Sequence, residues 1–202
     1  IEPYLRQMLG FLGMTELLRG TELSPPQRRF ADAVYQSAEH LLTLINDILD
    51  FSKIEAGKLE LESIPFDLRE LVEGVGELFA QPAAAKGVEL LCSVPHELPV
   101  AVKGDPVRLR QILTNLVSNA VKFTGQGEIV VRVKLLHEDH KQAHFRLEVQ
   151  DSGIGIGEDQ QSRLFHAFVQ ADGSTTRRFG GTGLGLAIAK KLVEMLGGQI
   201  GL

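Results

Sequence analysis

The stretches Asp151-Ser152-Gly153-Ile154-Gly155-Ile156 and Gly180-Gly181-Thr182-Gly183-Leu184-Gly185-Leu186 decide the fold class of this chain. The first follows a run in which Leu147 and Val149 alternate with polar residues, a pattern typical of a half-buried strand. The second opens a helical pattern, and glycines that lead into a helix N-terminus expose backbone amides to an anion. Together they predict a nucleotide site in a domain that mixes strands and helices.

A third polar pattern lies upstream, on a helix predicted from Asp105 to Phe123. Asn115, Asn119 and Lys122 recur at helical spacing and share one side of that helix. An asparagine oxygen can ligate magnesium, and a lysine can pair with phosphate. Taken singly, this stripe is equally well explained as a solvated helix face, and Asp151 is better explained as part of a turn. The order and separation of all three patterns favour a nucleotide site.

Two common phosphate-binding motifs are excluded. No Lys-Ser or Lys-Thr follows the glycines, as the phosphate loop of P-loop proteins requires. No strand precedes the second glycine stretch, as the dinucleotide-binding fold requires.

Composition narrows the function further. The chain has 202 residues and a net charge of -5, which argues against a nucleic-acid partner. A single cysteine, Cys92, excludes an internal disulfide framework and is expected to be a buried strand residue. No apolar run approaches the length that spans a bilayer. We therefore expect a soluble fragment, although a larger parent protein could still be anchored in a membrane.

Residues 1–62 are predicted to form a helical hairpin. Gly20 is a plausible end of its first helix, and Ser24-Pro25 supplies an N-cap and a first-turn proline for the second. One hairpin cannot bury the apolar stripe of the second helix, so a second copy would complete a four-helix bundle. The positions of that stripe are Phe30, Val34, Leu41, Ile45 and Ile48.

Residues 63–202 are predicted to form an α+β layer, in which helices cover one face of a twisted sheet. The predicted helices are 67–79, 105–123, 160–168 and 182–196, and the predicted strands are 88–94, 128–136 and 145–150. His137, His140 and His144 flank the turn between the last two strands. Their spacing could suit a metal, although a solvated loop is the simpler interpretation.

The chain resembles the kinase core of sensor histidine kinases, over nearly its whole length. Residues 115–124 match the N box of that family, 151–156 its first glycine box, 164–168 its F box and 180–186 its second glycine box. Residues 168–178 and the helical hairpin are similar to the hybrid subgroup. The resemblance implies a dimeric four-helix hairpin domain followed by an α/β-sandwich ATP-binding domain that binds ATP and Mg²⁺.

The resemblance also implies roles for the matching positions. Asp151 would bind the adenine amine, and Asn119 would hold magnesium. Asn115 and Lys122 would contact the phosphates, and the segment after Phe168 would be a lid. The implied ATP-binding residues are Asn115, Asn119, Lys122, Asp151, Gly153, Gly155, Arg178, Gly181, Thr182, Gly183, Leu184 and Gly185.

The related ATPases of the same fold carry a water-activating glutamate where this chain has Asn115. An amide cannot act as that base, so transfer of phosphate to a protein acceptor is preferred over hydrolysis. The implied partners are a second copy of the chain and a receiver domain, either in a response regulator or in the same longer protein.

The match breaks at the phosphate acceptor. The family register places Glu2 at the acceptor position, and no histidine occurs before His40. Either the acceptor run is replaced, or the sequence joins a linker helix to Leu9 and omits residues; we favour the second explanation. The family also continues into a further strand beyond residue 202. The alternative function is a non-catalytic nucleotide-binding partner that pairs with another sensor kinase.

Overall fold

The computed structural model describes residues 2–140, 142–169 and 183–202, and within these ranges the side chains from Arg6 onward. The chain divides into two compact units, Ile1–Leu59 and Glu60–Leu202. We refer to them as the hairpin unit and the sheet unit and describe each by itself. The sequence-based division between residues 62 and 63 stays a prediction.

The hairpin unit consists of α1 (Glu2–Arg19) and α2 (Pro25–Glu55). The N-cap of α2 is Ser24, whose backbone N–H donates to Gln27 Oε1 at 2.9 Å. A capping box of this kind satisfies amides that the first helical turn leaves without partners. Arg19 ties the two helices together, because its Nε lies 2.7 Å from Asp32 Oδ1 and its guanidinium lies 4.5 Å from the Tyr35 ring centroid.

Small side chains fill the buried side of α2, namely Ala31 and Ala38. Nine of the larger apolar side chains of the hairpin remain exposed. They are Leu9, Phe11, Met14, Leu17, Leu18, Phe30, Val34, Leu41 and Ile48. The hairpin therefore presents an apolar surface that it cannot bury by its own folding.

The sheet unit mixes strands and helices. Its elements are β1 (Ile64–Asp67), α3 (Leu68–Ala84), β2 (Val88–Ser93), β3 (Ala101–Gly104), α4 (Pro106–Phe123), β4 (Gly127–Glu138), β5 (Ala143–Asp151), α5 (Glu158–Gln161) and α6 (Gly185–Met195). Strand β2 pairs with β4 in parallel and β5 pairs with β4 antiparallel, while β1 and β3 form a separate antiparallel pair. The predicted α+β class is confirmed.

One face of the three-stranded sheet packs against the helices. Ile129, Val131 and Val133 of β4 alternate along that face and join the apolar core with residues of α3 and α4. The opposite face carries polar pairs, such as Lys134 Nζ with Glu148 Oε2 at 2.7 Å. This alternation is the pattern expected when one side of a sheet is covered and the other is open.

Four of the sequence-based predictions need correction, three on helices and strands and one on the burial of Cys92. Helix α3 continues past Phe79 through Pro82 to Ala84, because the fully buried Ala83 packs in the core and offsets the hydrogen bond that proline cannot make. The pair β1 and β3 includes a strand, β3, that the sequence did not predict.

The third correction concerns residues 160–168. Helix α5 ends at Gln161, and the chain continues in turns whose amides bond to the third residue before them, as from His166 to Arg163. Phe168 then adopts a left-handed backbone with φ of 62°, which a helix cannot accommodate. The predicted helix over 160–168 is therefore wrong beyond its first two residues.

The fourth correction concerns Cys92. It lies in β2 as predicted, but the residue is exposed because β2 has a strand neighbour, β4, on one side only within the described residues. Its Sγ lies against α3, 3.9 Å from the Val72 carbonyl oxygen. Burial of the sulfur, with a smaller contribution from the charge of Glu73, raises the pKa of the thiol.

Among the described residues, none of the helices combines the length and the apolar character needed to cross a membrane.

Candidate functional site

Helix α4 carries the polar stripe and is fixed at both ends. At its start, the nearly fully buried Asp105 accepts from Arg108 N through Oδ1 and from Glu62 N through Oδ2, each at 3.0 Å. At its end, Lys86 Nζ donates to the carbonyl oxygens of Val121 at 2.6 Å and Lys122 at 3.2 Å. A cation at a helix C-terminus satisfies carbonyls that have no helical partner. The stripe is therefore held on a rigid element.

Asn115 joins this stripe to the start of α6. Its Nδ2 donates to the Gly185 carbonyl oxygen at 3.2 Å, across 70 residues of sequence. A Cβ at position 185 would lie 3.2 Å from Asn115 Oδ1, a tight contact that would push the amide aside by a few tenths of an ångström. The structure thus brings the N box and the second glycine stretch together.

The N-terminus of α6 is anchored and lacks a capping side chain. Leu184 occupies the N-cap and is buried with Ile188, whose N–H bonds to the Leu184 carbonyl at 2.8 Å. Gly183 precedes it with φ of 67°, a conformation that side chains disfavour. Because leucine offers no acceptor to the first-turn amides, an anion can take that role.

The first glycine stretch packs against the C-terminal end of α4. Asp151 Oδ1 accepts from Gly153 N at 2.9 Å, and a Cβ at position 153 would lie 2.7 Å from the Phe123 carbonyl oxygen. Ser152 Oγ accepts from Glu128 N at 2.9 Å, which fastens the stretch to the start of β4. Asp151 itself is exposed, at the end of β5. Gly155, two residues beyond Gly153, has φ of 71°.

Lys122 is half-buried on the last turn of α4, with its Nζ 4.9 Å from the Phe123 ring centroid. Burial disfavours its charged form and lowers the pKa of the amine. A nearby anion would stabilise that charge, which is the property expected of a phosphate-binding lysine. Asn119, one turn before it, is also half-buried.

Several predicted positions lie outside this description. Arg178, Gly181 and Thr182 fall in residues 170–182, outside the described residues, and so does the side chain of Glu2. Among the described residues, no group of three or more histidine, cysteine or acidic side chains could hold a metal ion. The carboxamide of Asn119 remains the predicted magnesium ligand.

Sequence reasoning missed three groups that position the site, namely Lys86, Asp105 as a link to Glu62, and Ser152 as a link to β4. Only Asp105 had a signal, as the N-cap before a first-turn proline. The partners of all three are distant in sequence, so no local pattern reveals them.

The residues brought together at this site suit a nucleotide. A Cβ at Gly153 would collide with the Phe123 carbonyl, and one at Gly185 would press on the Asn115 amide. The N-terminus of α6 has no side-chain cap, and the Lys122 amine is partly desolvated. Amide oxygens and water are ligands that magnesium accepts.

Comparisons with known proteins match parts of both units. Residues 104–202 match the family described as "Histidine kinase-, DNA gyrase B-, and HSP90-like ATPase". Residues 8–57 match the "His Kinase A (phospho-acceptor) domain". The sensor protein GacS of Pseudomonas syringae pv. syringae is 53% identical over 192 residues, which cover 95% of this chain and 21% of GacS. The chain spans about a fifth of the length of the curated relatives that it matches.

Solved structures show the same similarity. Full-length ShkA in complex with AMPPNP is 38% identical, with a TM-score of 0.77, over 99% of this chain and 40% of ShkA. The catalytic domain of the histidine kinase ThkA is 30% identical, with a TM-score of 0.55, over 66% of this chain and 81% of that domain.

Proposed function

This chain belongs to the sensor histidine kinase family, and we propose that it is the core of a two-component kinase. In this proposal the sheet unit binds Mg-ATP, the γ-phosphate passes to a histidine, and a receiver-domain aspartate then accepts it. The observation that carries the proposal is the attachment of both glycine stretches to α4. Asn115 holds one at Gly185, and the Phe123 carbonyl lies against the other at Gly153.

Bound ATP would supply the transferred phosphoryl group. Asp151 would accept the adenine amine through a carboxylate that its exposure leaves accessible. The first-turn amides of α6 and the amine of Lys122 would orient the phosphates, and Asn119 would hold magnesium. Phosphoryl transfer needs positioning and charge stabilisation more than covalent work by the protein, which suits a site built from a rigid helix and backbone amides.

Asn115 favours transfer to a protein over hydrolysis. Its carboxamide donates to Gly185 and has no basic group with which to take a proton from water. The site would therefore hold ATP until a protein acceptor arrives.

The exposed apolar surface of the hairpin unit supports self-association of two copies. We extend the proposal to a homodimer through this surface and to a receiver domain in a response regulator or in the same longer protein. We also propose that the longer protein is anchored in the bacterial inner membrane with this part in the cytoplasm. Recovery of the full-length protein in the soluble fraction after cell lysis would contradict that last point.

One observation favours a second candidate, a non-catalytic nucleotide-binding partner of another sensor kinase. The register of the family places Glu2 at the position where the family carries its acceptor histidine. Such a partner would bind nucleotide without becoming phosphorylated.

The nucleotide site is tested by Asn119→Ala, with Ser118→Ala as the matched control on the adjacent, exposed position. We expect the substitution at 119 to weaken magnesium-dependent ATP binding at least about tenfold, because the metal loses its protein ligand. Titration calorimetry with AMPPNP, with magnesium or with EDTA, measures this. Equal affinities for the two variants in magnesium would remove Asn119 from the site.

The choice between kinase and partner is tested on the full-length protein with γ-labelled ATP and magnesium. Label that is lost in acid and retained in alkali supports a phosphohistidine and hence the kinase. ATP binding with no label supports the non-catalytic partner. Rapid release of labelled inorganic phosphate, with no labelled protein, supports an ATPase instead.

A further inference from the structure

The tip of the β4–β5 hairpin places two histidines directly opposite each other. His137 pairs with His144 across the strands, after a register shift between Leu135 and His137. The shift leaves Leu136 as an extra residue, so that two residues of β4 oppose one residue of β5. Such a β-bulge changes the face to which the following side chain points.

The bulge moves His137 to the open face of the sheet. Before it, Val131, Val133 and Leu135 alternate in register with the core-facing Val149, Leu147 and Phe145. Unbroken alternation would put His137 on that same covered side. Phe145 faces the core, so its neighbour His144 points to the opposite, open face. His137 lies directly opposite His144 and therefore points to the open face as well. Both histidines are accordingly exposed.

The two imidazoles lie close enough to bind the same metal ion. Their ring centroids are 6.3 Å apart, with the planes inclined by 34°. Two imidazoles on one tetrahedral zinc, with Zn–N bonds of about 2.0 Å, have ring centroids about 5 Å apart. The difference is about 1 Å, which rotation of exposed side chains supplies without backbone movement.

The turn that joins the strands holds this pair in register. Asp139 N donates to the Gln142 carbonyl oxygen at 2.9 Å, and Gln142 N donates to Asp139 Oδ1 at 2.8 Å. Two bonds across the turn oppose slippage of one strand against the other. The two imidazoles are thus pre-positioned, which lowers the entropic cost of binding one metal ion between them.

We propose that His137 and His144 form a two-ligand site for a divalent first-row transition-metal ion of the zinc, nickel or copper kind, completed by water. Imidazole suits these ions, whereas magnesium prefers oxygen ligands, so the site is chemically distinct from the nucleotide site. No third histidine, cysteine or acidic ligand joins the pair among the described residues. Arg146, exposed on the same face, adds repulsion.

The experiment is a zinc chloride titration of the nucleotide-free chain, followed by calorimetry and by the imidazole resonances of its histidines. We expect the resonances of His137 and His144 to shift together at one equivalent, while those of His40 and His96 do not. His144→Gln should weaken zinc binding at that pair at least about tenfold, because one of two ligands is lost. His140→Gln, in the adjacent turn, is the matched control and should retain the affinity.

Magnesium chloride should leave both resonances in place. Zinc affinity in His144→Gln within about twofold of the unchanged chain would overturn the proposal, and so would a zinc titration that leaves the His137 and His144 resonances unmoved.

Discussion

The hairpin unit and the sheet unit place their apolar side chains in opposite ways. In the sheet unit, Leu113 and Val117 of α4 are fully buried in a core shared with α3 and the sheet. In the hairpin unit, the buried apolar residues of α2 are the small Ala31 and Ala38, while Phe30 remains 73% exposed. The hydrophobic effect therefore stabilises one unit by itself and leaves the other with a surface suited to a second copy.

The most severe test of this contrast is a charge placed on the exposed apolar surface. Val34→Asp should weaken self-association about 100-fold, equivalent to about 2.7 kcal/mol, because both copies would bring a carboxylate into the apolar contact. Sedimentation equilibrium measures the dissociation constant. The fold of the sheet unit should not change, since Val34 belongs to the hairpin unit.

The matched control is Gln36→Asp, on a different side of the same helix. Gln36 is exposed and lies outside the apolar stripe. If the two variants associate equally well, the apolar surface of α2 is not the contact between copies.

Replacing a glycine by alanine tests the contrast further, because it should lower the stability of the sheet unit and raise that of the hairpin unit. A Cβ at Gly76 of α3 would lie 2.5 Å from Cys92 Sγ, so Gly76→Ala should destabilise the sheet unit by about 1–3 kcal/mol. A Cβ at Gly13 of α1 would meet nothing within 4 Å. Gly13→Ala should therefore stabilise the hairpin unit by up to about 1 kcal/mol through helix propensity.

Native-state hydrogen exchange measures the protection of the backbone amides of α1 and of α3 separately in one sample. The double change Gly76→Ala with Cys92→Ala should recover most of the loss, since it removes the atom that the new methyl group meets. If Gly76→Ala destabilises the Cys92→Ala variant as much as it destabilises the unchanged chain, the contact between Gly76 and Cys92 is not the cause of the lost stability.

The smallest expected effect concerns charge instead of apolar surface. Burial lowers the pKa of Lys122 below its ordinary value of 10.5. Just below that ordinary value, part of the amine is therefore neutral in the free protein. A bound phosphate favours the charged form and raises the pKa, so nucleotide binding should take up a fraction of a proton. Calorimetry at about pH 9.5 in buffers of different ionisation enthalpy measures this uptake.

Lys122→Met should remove that uptake. Lys190→Met is the control, because Lys190 lies on α6 and is 4.0 Å from Glu194. Proton uptake that persists in Lys122→Met would assign it to another group.

Much of the fold follows from local patterns in the sequence. Alternating Leu147 and Val149 predicted β5, and Asp105-Pro106 predicted the start of α4; both are confirmed. Residues 160–168 were misread as a helix because closely spaced apolar residues are compatible with tight turns as well. Periodicity cannot distinguish these two conformations over so short a segment.

The candidate site was less accessible to sequence reasoning. The motif residues were found from their order along the chain, and their roles at the nucleotide remain predictions. The groups that hold those residues in place were not found. Lys86 gave no local signal, because the carbonyls that it caps lie 35 and 36 residues further along.

By itself, the sequence determined most of the helices and strands, which faces are apolar, and which family the chain resembles. Caps, alternation and glycine spacing depend on interactions between residues that are near in the chain, so they are legible without a structure. Only the tertiary structure decided that Asn115 meets Gly185, that Gly153 lies against α4, and that a bulge turns His137 towards His144. These contacts depend on packing between distant segments, where one inserted residue can reverse the face that a side chain occupies.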